Sequence, residues 1–372
     1  MLLPGSKLGV LGGGQLGRMF CVAARTMGYR TVVLDPDSAS PAGRIADQHI
    51  KAGYEDEAAL DQLAQACDVI TTEFENVPAN SLNYLAAQKP VYPSASSVEI
   101  AQNRIREKDF ASQAGLEPAP FAAINTSSDL DAAIQSIGLP CILKTSTMGY
   151  DGKGQFVIES LQQAIDAFDS LNGVACVLEK KLDLKLEISA LLARNADGII
   201  SIYPPAENEH RNGVLHKSIV PARISAELLM QAQQKAQMLA EALDYVGVLA
   251  VEFFITEDDQ LIFNEMAPRP HNSGHYTKDA AVTSQFEQQI RVMCGLLPGD
   301  TRLISPVVMV NMLGDLWEPD WRLLLNQPAA KLHLYGKEEA RPGRKMGHFN
   351  LLADNIESAI QLADQIFEQL SK

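Results

Sequence analysis

Residues 246–276, VGVLAVEFFITEDDQLIFNEMAPRPHNSGHY, constrain this chain more than any other stretch. Two apolar, β-branched and aromatic runs, 249–256 and 261–267, flank the polar turn Glu257-Asp258-Asp259-Gln260, which is the pattern of a β-hairpin. A turn centred between Asp258 and Asp259 pairs Phe254 with Phe263 and Glu252 with Glu265. That register sets two carboxylates ~5 Å apart at Cβ on one face of a sheet. Like charges at that distance destabilise a hairpin unless a cation neutralises them. A hard divalent ion such as Mg²⁺, with oxygen ligands, does so and usually accompanies phosphate. The polar residues after the second strand (Arg269, His271, Asn272, Ser273 and His275) read as a substrate wall. The alternative is two surface glutamates on a solvated sheet face.

With 372 residues, the chain can build two or three domains and a sizeable core. A formal net charge of −15 argues against a nucleic-acid-binding surface, though not against a local basic pocket for a phosphorylated metabolite. The 5 cysteines lack CxxC spacing and read as reduced, buried thiols of a cytosolic protein. The start MLLPGSKLGV has no secretory pattern, and no apolar run approaches ~18 residues, so neither export nor a membrane span is expected.

The apolar run 8–11 leads into Gly12-Gly13-Gly14-Gln15-Leu16-Gly17, then a helical stretch at 18–27 and a strand at 31–34 ending at Asp35. This is the opening of a doubly wound α/β domain. Gly12, Gly14 and Gly17 fit GxGxxG, and Asp35 stands about where a ribose-binding acid would, so a nicotinamide enzyme is one reading. The other is that the glycines only permit tight strand–helix packing. A further strand, 68–72, ends in Glu73-Phe74-Glu75-Asn76, either a ligand site at a strand's carboxyl end or an acidic helix start. Residues 94–110 read as one helix carrying Asn103, Arg104, Glu107 and Lys108.

Further along, a strand at 139–144 ends on Lys144 and precedes a loop containing Gly149-Tyr150-Asp151-Gly152-Lys153-Gly154-Gln155. Between two strands and flanked by lysines, this glycine-rich loop fits a flap over a polyphosphate, or else a long hairpin. It is not a GxxxxGK[ST] loop. The strand 174–179 is followed by a hinge, Lys180-Lys181-Leu182, suited to a base. Next come the strand 186–192 with Glu187, a turn His210-Arg211-Asn212-Gly213 and a helix at 225–243. In the tail, Lys337, Arg341, Arg344, Lys345 and His348 fall within a dozen residues, a cluster that suits an anionic phosphate, or a solvated charged turn. An amphipathic helix over 355–370 ends the pattern.

The order Lys144, GYDGKGQ, Glu179, Glu187, His210, Glu252 and Asn264-Glu265 resembles the ATP-grasp superfamily. With GGGQLGRM, TEFENVP, AQNRIREK, NEMAPRPHNSGH and RPGRKMGH, the whole chain is similar to the 5-(carboxyamino)imidazole ribonucleotide synthase family. The resemblance implies an α/β and α+β architecture: a Rossmann-like N-terminal domain (1–108), an ATP-grasp domain (109–302) with a flap subdomain at about 145–205, and a small C-terminal domain (303–372). It implies ATP- and bicarbonate-dependent carboxylation of 5-aminoimidazole ribonucleotide through carboxyphosphate, in purine biosynthesis, with Mg²⁺ or Mn²⁺. The partners it implies are small molecules, with no nucleic acid and no membrane, in a cytoplasmic homodimer. By the same resemblance Arg104, Lys144, Gly149, Tyr150, Asp151, Gly152, Lys153, Gly154 and Gln155 hold ATP phosphates. Glu179, Lys180, Lys181 and Leu182 hold adenine and Glu187 the ribose, with His210 and Asn264 nearby. Glu252 and Glu265 carry the metal, and Arg269 the bicarbonate or carboxyphosphate. Gln15, Glu73, Asn76, Tyr150, His271, Asn272, Ser273, Lys337, Arg344 and Lys345 bind the ribonucleotide. Asp151 and His271 are the candidates for taking the amine proton. Rival readings are the nicotinamide oxidoreductase, an ATP-grasp ligase with another acceptor, and a non-catalytic metabolite-binding relative.

Overall fold

The computed structural model describes residues 1–147, 149, 154–317 and 321–371. Tyr150, Asp151, Gly152 and Lys153, assigned above to nucleotide and substrate, lie outside the described residues.

Four parallel strands open the chain, in the spatial order Gln48–Ile50, Arg30–Leu34, Lys7–Leu11, Val69–Thr72. The helix Gln15–Thr26 buries Leu16, Met19, Phe20 and Ala24 on one side. That stripe packs against Phe286, Ile290 and Met293 of the helix Gln285–Met293, over two hundred residues away, so the first domain and the central one share a core. Gly12 has φ +101°, and a Cβ there would meet Glu73 Cγ at 2.4 Å. The turn therefore requires glycine on both conformational and steric grounds.

The single helix expected over 94–110 is two helices, Ala95–Ala101 and Arg104–Gln113. Asn103 breaks the run: its side chain accepts from the backbone N–H of Ile105 and Arg106, capping the second helix. The boundary at 108/109 falls inside that second helix, which thereby carries Arg104, Glu107 and Lys108 from one domain into the site of the next.

The large sheet runs Leu261–Ala267, Gly247–Thr256, Leu184–Arg194, Ala206–Arg211, Val214–Val220, Val307–Leu313, Lys345–Leu352, Ala330–Leu334, with Ile200–Ile202 added beside Leu184–Arg194. The strands assigned to the C-terminal domain thus extend the central sheet. They are covered by the helix Ile356–Leu370 through Val308, Val310, Phe349, Ala359 and Ala363. A smaller sheet, in the order Phe121–Ile124, Cys176–Lys180, Cys141–Thr145, Gln155–Ile158, forms the second layer of the central domain. It spans 121–180, so the subdomain begins and ends earlier than the 145–205 drawn from sequence; 184–194 and 200–202 pair within the large sheet. Likewise, only Asn212 and Gly213, at φ 51° and 76°, make the turn expected at 210–213. His210 and Arg211 continue the strand.

The hairpin pairs Glu252 with Glu265, as expected, but Phe263 sits opposite Phe253 rather than Phe254. Asn264 is the extra residue, a β-bulge. The turn is accordingly centred on Asp258, with Asp259 at φ 60° and Thr256 N–H donating to the Gln260 carbonyl. Along Gly247–Thr256, Val251, Phe253 and Ile255 enter the core beneath the helix Ala226–Ala242, leaving Glu252 and Phe254 for the cleft side.

Gly12→Ala is expected to cost about 2–3 kcal/mol of stability through overpacking against Glu73, measured by urea unfolding. Gly53→Ala, where an added Cβ meets nothing within 4 Å, is the control that should unfold like the parent chain.

Candidate functional site

A cleft of about 800 Å³ runs between the first domain, the two sheets and the tail. At one end stand Lys144, Glu187 and His210. In the middle are Arg104, Glu252, Asn264, Glu265, Arg269, His271 and Asn272. Gln15, Glu73, Asn76, Lys337, Arg344 and Lys345 close the other end. Sheet periodicity explains the middle. Glu187 and Ser189 alternate with core residues Ile188 and Ala190, and Ser189 is in register with Glu252, so the polar residues of three strands share one face.

Burial pushes the carboxyls of Glu252 and Glu265 upward. At Glu265 the Arg104 guanidinium, with Nη1 2.9 Å from Oε2, outweighs burial and leaves it below its ordinary value. Glu252 has no arginine so placed; burial, then repulsion by Glu265, holds it at about 8. His271 Nε2 lies 3.0 Å from Glu252 Oε1. Burial and the nearby Arg269 push His271 well below its ordinary value, so this contact is a hydrogen bond rather than an ion pair at neutral pH. Glu252 also lies within 4.8 Å, by ligand atoms, of Glu187 and His210, which is the one three-residue grouping of possible metal ligands among the described residues. His210 Nδ1 is 3.2 Å from Glu187 Oε2. Burial lowers His210, but the carboxylates of Glu187 and Glu252 outweigh it and raise the imidazole.

Arg269 is clamped by Glu75 and also donates to the Pro270 carbonyl. Burial raises the Glu75 carboxyl, but Arg269 more than reverses this and holds it at about 2, so the pair stays charged. Beside it, both polar atoms of the Asn272 carboxamide are buried with no partner among the described residues. A cleft-lining amide left so is a group that wants a ligand. Ser273, by contrast, is fully buried beneath the floor and does not line the cleft.

Glu179 is buried below the Lys144 end of the cleft, with Lys144 Nζ at 2.8 Å and Lys108 Nζ at 3.4 Å. Burial raises Glu179, but the two lysines together pull it below its ordinary value. Lys180, Lys181 and Leu182 link the small sheet to the large one; the Lys180 and Lys181 backbone N–H groups donate to the Pro120 and Pro140 carbonyls, and Lys180 Nζ to the Leu139 carbonyl. Gly149 and Gln155 line the cleft, and Gly154 sits behind them, its carbonyl accepting from Thr145 N–H. At the tail end Lys337 Nζ donates to the Lys345 carbonyl and Arg344 Nη1 to the Glu339 carbonyl, which fixes the basic loop.

The sequence placed Glu75 within a possible ligand site and Glu107 and Lys108 on a helix, but gave none of the three a role of its own. Lys108 is buried and donates to the carbonyl of the bulged Asn264 at 3.1 Å; Glu107 accepts from Met266 N–H at 2.6 Å. The signal was two adjacent opposite charges one helical turn beyond Arg104. The glycine turn also differs from a dinucleotide site. Glu73 Oε1 accepts from Gly14 N–H at 2.7 Å and Oε2 from Gly17 N–H at 2.8 Å. Asp35 accepts from Gly13 N–H and the Tyr54 hydroxyl. The amides that a pyrophosphate needs are already taken, which removes the basis of the nicotinamide reading.

The two sheets around this cleft, with the paired acidic strands of the larger one, define an ATP-grasp ligase. The ATP-grasp domain family matches residues 109–286, the ribonucleotide synthetase preATP-grasp domain 6–102, and the phosphoribosylaminoimidazole carboxylase C-terminal domain 307–362. The N5-carboxyaminoimidazole ribonucleotide synthase of Bacillus subtilis is 46% identical over 364 residues, 97% of this chain and 95% of its own. An ADP complex of an N5-carboxyaminoimidazole ribonucleotide synthetase superposes with a TM-score of 0.96 at 45% identity, covering 100% of this chain and 99% of that one. The Aspergillus clavatus enzyme, solved with ADP and 5-aminoimidazole ribonucleotide, superposes with a TM-score of 0.92 at 31% identity over 99% of each chain. This chain belongs to the N5-carboxyaminoimidazole ribonucleotide synthase family and is an ATP-dependent enzyme.

Burial, then Glu265, raises Glu107 to about 8. Its folded value lies above its unfolded one, so its contribution to stability is full below about 4.5 and is lost as pH rises toward about 8. Glu107→Gln keeps the acceptor for Met266 N–H and removes that titration. Its melting temperature should therefore gain on the parent's as pH goes from 5 to 8, by a few degrees in differential scanning fluorimetry.

Proposed function

We propose that this chain carboxylates the exocyclic amine of 5-aminoimidazole ribonucleotide with ATP and bicarbonate. A bicarbonate oxygen attacks the γ-phosphorus, ADP leaves, and carboxyphosphate forms. The amine then attacks the carboxyl carbon, losing a proton, and inorganic phosphate departs. The observation that carries this reading is the single cleft with an ATP-grasp face at one end and the basic residues Lys337, Arg344 and Lys345 at the other, joined at Arg269.

Each group has a role its surroundings support. Arg104 and Lys144 bind phosphate oxygens, which the transfer needs more than covalent catalysis. Glu187 takes the ribose, His210 lies beside it, and 179–182 frame the adenine. Arg269, kept charged and aimed by Glu75, holds the bicarbonate and then carboxyphosphate; the unpartnered Asn272 amide meets the same anion. Lys337, Arg344 and Lys345 bind the ribonucleotide's phosphate, with Gln15, Glu73 and Asn76 across the cleft.

A divalent cation fits Glu252 and Glu265. Both offer hard oxygen donors, and burial and Glu265 raise the Glu252 carboxyl because its ionised form lacks a compensating charge, which a cation would supply. When bound there, Mg²⁺ or Mn²⁺ supplies charge neutralisation of the transferring phosphate. The same reading makes the protein a cytoplasmic homodimer. Its five buried, free thiols fit a reducing compartment, and no helix of the described residues is long and apolar enough to cross a membrane.

ADP release from Mg-ATP should be strongly stimulated by 5-aminoimidazole ribonucleotide only when bicarbonate is present; turnover indifferent to the ribonucleotide contradicts the assigned acceptor. Arg269→Ala should lower kcat on the order of a hundredfold while leaving the KM for ATP nearly unchanged.

A further inference from the structure

Beneath the cleft floor, four buried side chains form a continuous hydrogen-bond chain that ends on His271. Ser218 Oγ donates to Asn208 Oδ1 at 2.8 Å, Asn208 Nδ2 to Ser189 Oγ at 3.1 Å, and Ser189 Oγ to Ser273 Oγ at 2.7 Å. Ser273 Oγ lies 2.9 Å from His271 Nδ1. Ser218, Ser189 and Ser273 are 0% exposed and Asn208 is 5% exposed, so no solvent competes for these groups. Sheet register builds the chain: Asn208 is directly opposite Ser218, and the strand of Ser189 is the next one over.

The chain has a direction. An amide is asymmetric, and Asn208, receiving at its oxygen, can only donate onward from its nitrogen. Ser189 then donates its hydroxyl proton to Ser273, and Ser273 has its own proton left for His271 Nδ1. The Ser273 backbone N–H points to the same Nδ1, at 3.4 Å. Nδ1 is therefore an acceptor, and the ring proton of neutral His271 sits on Nε2, facing Glu252 in the cleft. Gln285 holds the backbone of this residue from both sides, accepting from His271 N–H at 2.8 Å and donating to its carbonyl at 2.7 Å.

We propose that Ser218, Asn208, Ser189 and Ser273 are positioning residues that lock His271 as the Nε2–H tautomer, so that it presents a hydrogen-bond donor to the cleft, to Glu252 in this structure and, by exchange, to the anion beside Arg269 during the reaction, and is not the base that deprotonates the amine. This rests on the function proposed above and adds the tautomer and its cause. A directed chain of buried dipoles is cooperative, so a change at Asn208 is felt at the imidazole.

The test uses the full-length protein labelled with ¹⁵N-histidine, with two variants. Asn208→Asp is nearly isosteric but has no N–H for Ser189, which reverses the chain. Ser189→Ala interrupts it. In the parent protein the His271 Nδ1 resonance, assigned by its loss in His271→Asn, should report an unprotonated nitrogen and Nε2 a protonated one. Asn208→Asp should move the proton to Nδ1. Both variants should lower kcat and raise the KM for bicarbonate, together about ten- to a hundredfold in kcat/KM, as outer hydrogen-bonding partners do elsewhere, with the KM for ATP unchanged. The inference is overturned if the tautomer and the bicarbonate KM match the parent's in both variants. It is equally overturned if all KM values and the melting temperature shift together, which marks a merely structural role. A parent protein without bicarbonate-dependent turnover refutes the proposed function instead; the ring ¹⁵N signals still test the tautomer.

Discussion

Two glutamates directly opposite one another on neighbouring strands, Glu252 and Glu265, are the constraint around which this protein is arranged. Burying like charges in register is unfavourable unless opposite charge is supplied. The chain supplies it unevenly. Arg104 reaches in from the helix that links the first two domains and neutralises Glu265, while Glu252 is left with a neutral histidine and a carboxyl held at about 8. In the function proposed above, that imbalance is what makes room for a cation beside the transferring phosphate. It also explains why the charged helix positions Arg104, Glu107 and Lys108 are not on the surface.

The same economy of charge appears in the first domain. A glycine-rich turn at a helix N-terminus is a ready anion site, and here the protein fills it with its own Glu73. A motif that elsewhere admits a dinucleotide thus becomes a brace holding the Glu73-Phe74-Glu75 segment against the cleft. From there Glu75 orients Arg269. One short acidic segment links the first domain's packing to the Arg269 guanidinium in the cleft.

Much of this was legible in the sequence. The opposed glutamates, the glycine turn and the basic tail could be read because each is a cluster of residues close together in the chain, and the ATP-grasp residues because their order along the chain resembles that superfamily. The departures have local causes. The bulge at Asn264 moved Phe263 opposite Phe253, because a period-of-two pattern cannot register one extra residue. Asn103 split one expected helix because its cap lies within an otherwise helical run. The least legible features are long-range: Lys108 beneath Glu179, Glu75 on Arg269, and the serine–asparagine chain below His271 join residues 71 to 194 positions apart at their widest steps or alternate strand residues that read as ordinary polar core. No periodicity announces such contacts; only the fold brings them together.

The most direct test of the central claim follows oxygen. Bicarbonate labelled with ¹⁸O, supplied with Mg-ATP and 5-aminoimidazole ribonucleotide, should deliver one labelled oxygen into inorganic phosphate at each turnover, because the bond from bicarbonate to the γ-phosphorus is made before the carboxyl carbon is transferred. Phosphate released without label would contradict carboxyphosphate formation in this cleft, and with it the account of how the opposed carboxylates and Arg269 work together.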